Sequence, residues 1–116
     1  MKVIVTKKSW IVKCLAGHVH FYPVDKNIKF GPNKGWDFNG NLDKPTFTPS
    51  MKEWTPAQKP YNDHPGRPFW QCHFTITDGV ITMCGDCTHE HAGKSGTLPE
   101  FTQQEIDHYT SPENDY

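Results

Sequence analysis

Trp70-Gln71-Cys72-His73-Phe74-Thr75-Ile76-Thr77-Asp78-Gly79-Val80-Ile81-Thr82-Met83-Cys84 is the stretch that decides the fold class. Its first eight residues alternate. Trp70, Cys72, Phe74 and Ile76 fall on one face, and Gln71, His73, Thr75 and Thr77 on the other. A period of two is the signature of a strand with one buried face. Asp78-Gly79 then supplies a two-residue hairpin loop, because both central positions need positive φ and Asp-Gly tolerates that cheaply. The loop length fixes the register. Thr77 is expected opposite Val80, Ile76 opposite Ile81, Thr75 opposite Thr82, Phe74 opposite Met83 and His73 opposite Cys84. The core face is then Trp70, Cys72, Phe74, Ile76, Ile81 and Met83.

Working outward, Val3–Val5, Trp10–Cys14 and Val19–Val24 read as further strands from their β-branched and aromatic content. Residues 23 to 68 hold eight of the ten prolines. That density excludes long helices and predicts extended loop and edge strand, with Thr55–Pro68 a mobile loop. Near the C-terminus, Thr102-Gln103-Gln104-Glu105 is a capping box that predicts a short helix over 102–109, with Ile106 and Tyr109 facing the body. Residues 111–116 are expected to fray. The fold class is mainly β (α+β at most), one domain over residues 1–116.

Composition narrows the function. The chain has 116 residues, 34% hydrophobic and 13% aromatic, with a mean hydropathy of -0.74. Such a core is thin, so long ordered loops or a metal are expected to help hold it. Twelve basic and thirteen acidic residues give a net charge of -1, and no like-charge run exceeds Lys7-Lys8. A general electrostatic grip on nucleic acid is not expected. No apolar run approaches a membrane span, and Met1–Thr6 does not read as a signal peptide. A cytoplasmic protein with reduced thiols is expected.

Chemistry gathers in three places. Four cysteines and seven histidines leave two clusters, one of Cys14, His18 and His20 and the other of Cys84, Cys87, His89 and His91. Cys84-Gly85-Asp86-Cys87 is formally C-x-x-C, a zinc spacing when a second pair exists, and small buried hydrophobes otherwise. If Zn²⁺ is held, Cys87 and His89 are the candidate ligands, joined by Cys14 or His20. His73, with Asp86 just beyond the hairpin, forms a candidate base and orienting carboxylate. Ser50, fixed in a Pro-rich segment, is the candidate nucleophile, and Cys84 and Cys87 are its rivals. No G-x-S-x-G elbow is present.

Three blocks together carry a resemblance. Trp36-Asp37-Phe38-Asn39-Gly40 through Pro45-Thr46-Phe47-Thr48-Pro49-Ser50 resembles W-x-[FW]-N-G-x-x-x-x-P-T-F-[ST]-P-S. Cys72-His73 with Asp78-Gly79 and Ile81 resembles C-H-x-x-x-x-D-G-x-I. Asp86-Cys87-Thr88-His89 with Ala92-Gly93 and Leu98-Pro99 resembles D-[CS]-T-H-x-x-A-G…L-P. Across residues 10 to 101 the chain is similar to a family of small phage and bacterial-operon proteins. Its BubE branch accompanies bacterial ubiquitin-like proteins and is regarded as a serine peptidase. The chain departs from its relatives in three ways. Gly17 stands where many carry the second Cys of an N-terminal C-x-x-C. Cys84 replaces an apolar residue, and Cys87 is often Ser.

The resemblance implies a hydrolase of an acyl or peptide bond, at a ubiquitin-like C-terminal linkage. Ser50 would attack, His73 act as base and Asp86 orient it. Backbone N–H groups of a Pro49–Met51 turn are candidate oxyanion donors. Two alternatives stay open. One is a zinc hydrolase using His73, Asp86 and His89. The other is a non-enzymatic phage accessory protein that binds a host protein through its aromatic loops.

Overall fold

The computed structural model describes residues 1–27, 35–55 and 70–116. Its elements in chain order are β1 (Ile4–Val5), β2 (Ser9–Lys13), β3 (Val19–Pro23), β4 (Asp37–Phe38), β5 (Phe47–Thr55), β6 (Trp70–Thr77), β7 (Val80–Met83), β8 (Ser95–Thr97) and α1 (Gln103–Thr110). They form an antiparallel three-stranded sheet, β1-β2-β3, and an antiparallel five-stranded sheet, β4-β5-β6-β7-β8. The fold is therefore β-rich with one short helix, as the alternation predicts.

The hairpin has the expected register from Thr77↔Val80 to Phe74↔Met83. Beyond the assigned strand, Cys84 N–H still donates to His73 C=O at 2.8 Å. Asp78 at φ 48° and Gly79 at φ 76° make the two positive-φ residues of the turn. Cys72, Phe74, Ile76, Ile81 and Met83 are wholly buried, and Trp70 packs half-buried at the edge of the same cluster.

The main core lies between the two sheets. Val12 of β2 and Tyr22 of β3 meet Phe47 and Met51 of β5 and the inner face of β6. The opposite face of the small sheet is also covered, since Ile4 and Ile11 pack with Phe101, Phe21, Ile106 and Tyr109. So β2 and β3 alternate between two apolar layers rather than between core and water, which is how a chain of modest hydrophobic content builds two cores. Thr102 caps α1 with both bonds of the capping box, Glu105 N–H to Thr102 Oγ1 at 3.2 Å and Thr102 N–H to Glu105 Oε1 at 2.9 Å.

Two expectations are corrected. The tail does not fray: Tyr116 stacks on Phe21 with ring centroids 5.6 Å apart, and Thr6 Oγ1 donates to its carbonyl at 2.6 Å. The aromatic ring finds an apolar seat beside the helix, which offsets the entropy of ordering the tail. Nor is the Pro-rich segment only loop and edge strand. β5 is nine residues long and interior, flanked by β4 and β6. Pro49 has no N–H for the ladder, and the chain accommodates it by a register shift. Phe47 pairs with Ile76 and Met51 with Phe74, so β5 advances four positions while β6 advances two. The peptide Thr48–Pro49 is cis. The mobile loop expected over Thr55–Pro68 lies outside the described residues, save for Thr55 at the end of β5. Among the described residues, no helix is long and apolar enough to cross a membrane.

Candidate active site

The register shift in β5 lifts Ser50 out of the β5–β6 ladder while keeping Phe47 and Met51 on either side of it in the core. Its carbonyl accepts the Trp36 indole N–H at 3.2 Å, which anchors the bulge from below. Ser50, expected in a Pro-fixed turn, is thus held on a sheet.

Ser50 Oγ lies 3.0 Å from His73 Nε2. His73 Nδ1 lies 3.0 and 3.1 Å from the two carboxylate oxygens of Asp86. Alternation along β6 turns His73 to the outer face of the sheet, where its side chain is 22% exposed. Asp86 arrives from the turn after β7. The three residues come from β5, β6 and the β7–β8 connection. The contacts have hydrogen-bond length, with Oγ–H donating to Nε2 and Nδ1–H donating to the carboxylate.

Gln71 is the residue that sequence reasoning passed over. It is only 4% exposed, and its amide N–H₂ donates to Asp86 Oδ2 at 2.8 Å and to the Asp86 carbonyl at 2.9 Å. Gln71 and His73 share a face two positions apart, so the alternation already placed an amide beside the imidazole. The missing cue was burial. Thr88 completes the brace: its hydroxyl accepts Gln71 N–H at 2.8 Å, and its N–H donates to Gln71 C=O at 3.0 Å. Lys52, across from His73 in register, brings Nζ to 4.0 Å from Asp86 Oδ2.

The rival residues sit differently. Cys84 lies near His73 and Asp86, but burial and then the Asp86 charge push its thiol up, away from the nucleophilic thiolate. Cys87 Sγ bonds the backbone of His73 instead, accepting its N–H at 3.3 Å and donating to its C=O at 3.2 Å. His89 is not beside His73 and Asp86. Its Nε2 lies 3.4 Å from Cys72 Sγ, and Cys72 points to the opposite face of β6. The zinc-hydrolase alternative thereby loses a ligand, and both ring nitrogens of His73 already have partners.

Among the described residues, two groups of three or more metal-capable side chains converge within 4.8 Å: His73, Cys84 and Asp86, and Cys14, His18, His20 and Cys72. Cys87 and His89, the expected metal pair, belong to neither: Cys87 is tied to the β6 backbone, and His89 meets Cys72 but does not converge with the other three donors. Within the second group the Cys72 thiol donates to Cys14 Sγ at 3.9 Å. That bond holds the Cys14 thiol well below the usual range and pushes Cys72 up. Burial pulls His20 down, but its bonds to Cys14 and Glu53 prevail and raise it.

Neither a curated protein nor a solved structure matches the chain. A family match covers residues 1–84, with the description bacterial ubiquitination-like system serine protease (BubE). The match spans the bulged serine strand and the histidine strand, and on that extent the chain belongs to the BubE family of serine proteases.

Proposed function

We propose that Ser50, His73 and Asp86 are the catalytic triad of this protease and that it cleaves an acyl linkage at the C-terminus of a ubiquitin-like protein. The observation that carries the reading is the continuous relay from Ser50 Oγ through both ring nitrogens to the Asp86 carboxylate. Membership of a serine protease family supports Ser50 over the two cysteines.

In this reading His73 Nε2 takes the Ser50 proton as Oγ attacks the scissile carbonyl. The imidazolium so formed is steadied by Asp86 through Nδ1–H. Collapse of the tetrahedral intermediate breaks the C–N bond, and Nε2–H passes its proton to the leaving amine. Water then repeats the sequence against the acyl-serine, giving a free carboxylate and regenerating Ser50. Gln71 fixes the carboxylate, so the imidazole is held in one tautomer before substrate arrives.

The test is Ser50→Ala with a ubiquitin-like protein carrying a C-terminal extension as substrate. Cleavage should fall by about 10⁵-fold, and a fluorophosphonate probe should label the parent protein but not the variant. Retained cleavage by Ser50→Ala would reject the assignment.

A further inference from the structure

The structure assigns a second site, on the inner face of β6: we propose that Cys14, His18, His20 and Cys72 bind one structural Zn²⁺ that joins the two sheets. The four donor atoms all lie within 4.8 Å of one another. Cys14 Sγ is 3.9 Å from Cys72 Sγ, Cys72 Sγ is 3.6 Å from His20 Nε2, and Cys14 Sγ is 3.7 Å from His18 Nδ1. A tetrahedral zinc with bonds of about 2.3 Å to sulfur and about 2.0 Å to nitrogen separates its ligand atoms by about 3.3–3.8 Å. The donors are therefore spaced for an ion to enter with little movement.

A second observation points the same way. His20 is 1% exposed, and its Nδ1 meets Glu53 Oε1 at 2.8 Å. A carboxylate on the far nitrogen fixes the tautomer and leaves the Nε2 lone pair directed at the cluster, the arrangement that orients metal-bound histidines. Cys14 and Cys72 are also wholly buried. Two thiols and two imidazoles with no oxygen donor among them select zinc over hard cations. Four protein donors close the coordination shell, which marks a structural rather than a catalytic centre. With both thiols deprotonated and both imidazoles neutral, the bound unit is a neutral Zn(Cys)₂(His)₂.

The ligands come from the end of β2, the turn that follows it, β3 and β6. The ion would therefore pin the small sheet to the strand that carries His73. His89, 3.4 Å from Cys72 Sγ, is left beside the thiolate as a hydrogen-bond partner rather than a ligand.

Full-length protein expressed with zinc and purified without chelator should contain about one zinc per chain by elemental analysis. Cobalt in its place should give the strong visible bands and thiolate charge transfer of a tetrahedral site. Cys14→Ser and Cys72→Ser should each lower the metal content to near zero, whereas Ser50→Ala should leave it unchanged. His18→Ala should lose metal and His89→Ala retain it. The reverse result would overturn the place given to His18. Parent protein without metal, or with only the weak spectrum of six-coordinate cobalt, overturns the site, and this measurement does not depend on any variant folding.

Discussion

Cys72 and His73 are neighbours in sequence and belong to opposite worlds. Cys72 faces inward to buried His20, half-buried His18 and another thiol, on a face where, among the described residues, every buried side-chain N or O atom but the Tyr22 hydroxyl has a partner. His73 faces outward to Ser50 and Asp86, partly open to solvent. The pleat of one strand separates them. In the proposed reading, the face that reacts is left accessible and braced by hydrogen bonds, while the face that holds the sheets together is the more closed one. The same loop serves both, since Asp86 goes to the outer site and His89 turns to the inner one.

Substituting the two neighbours is the strongest way to break this division. His73→Ala should lower kcat by about 10⁵-fold with its melting temperature nearly unchanged, as expected for a partly exposed polar side chain outside the core. Cys72→Ser should do the reverse, lowering the melting temperature and reducing activity only as far as the fold is lost. If His73→Ala unfolds the protein, or Cys72→Ser leaves stability intact and destroys turnover in folded protein, the two faces are not separate. Asp86→Asn belongs with His73. It keeps the shape but removes the charge that would steady an imidazolium in the proposed reading, so a loss of about 10³–10⁴-fold in kcat is expected.

The hairpin turn that sets the register offers a stability test of similar clarity. Gly79 has φ 76°, and a Cβ there would meet the Asp43 carbonyl oxygen at 3.1 Å and Lys44 Cα at 3.3 Å. Gly79 N–H also donates to Pro45 C=O at 2.9 Å, linking the turn to the segment that leads into β5. Gly79→Ala should cost about 2 kcal/mol from strain and crowding together, read as a lowered midpoint in urea with an unchanged slope.

Gln71 sharpens the comparison from within the outer face. Gln71→Ala removes the amide from Asp86 and leaves the imidazole contact in place. A fall of about tenfold in kcat, near 1.4 kcal/mol, with KM unchanged is expected, because Gln71 is buried and its amide meets the Asp86 carboxylate. An altered KM with constant kcat would move Gln71 into substrate binding. Cys84→Ser should be close to silent, and thiol alkylation at neutral pH should spare activity. Burial and the Asp86 charge raise this thiol, so it stays protonated there and reacts slowly.

What could be read beforehand follows from which forces are local. The β6–β7 hairpin was legible because the alternation and the Asp78-Gly79 turn specify one register independently. The capping box did the same for α1. β5 was not legible, because Pro49 argues against an interior strand and only pairing with β6 from a distant part of the chain overrides it. Residue type and resemblance point to Ser50, His73 and Asp86, yet their meeting depends on that same non-local bulge. The inner cluster escaped in part for the opposite reason. Cys14, His18 and His20 are close in sequence, but Cys72 joins them only when the small sheet packs on the large one. The C-x-x-C spacing does not make a ligand pair, because Cys84 lies near His73 and Asp86 while Cys87 bonds the β6 backbone.

Tyr22 gives the smallest effect and the most exact probe of the inner face. Its ring is well used: it stacks on Phe47 at 4.3 Å and meets Trp36 edge-on at 5.8 Å. Its hydroxyl is not, since among the described residues it is the buried side-chain polar atom without a hydrogen-bond partner. Burial, and after it the charge of Glu53, raises the phenol well above its usual range, so the group is a neutral donor with nothing to accept it. Removing the oxygen restores no lost partner and ends a desolvation cost. Tyr22→Phe should therefore stabilise the fold by about 1 kcal/mol, raising the melting temperature by about 4 °C for a domain of this size. Activity should be unchanged, because the ring and its stacking on β5 are kept. A lowered melting temperature would show that the hydroxyl has a partner on the inner face, and the closed, fully matched character given to that face would then extend to its last polar atom.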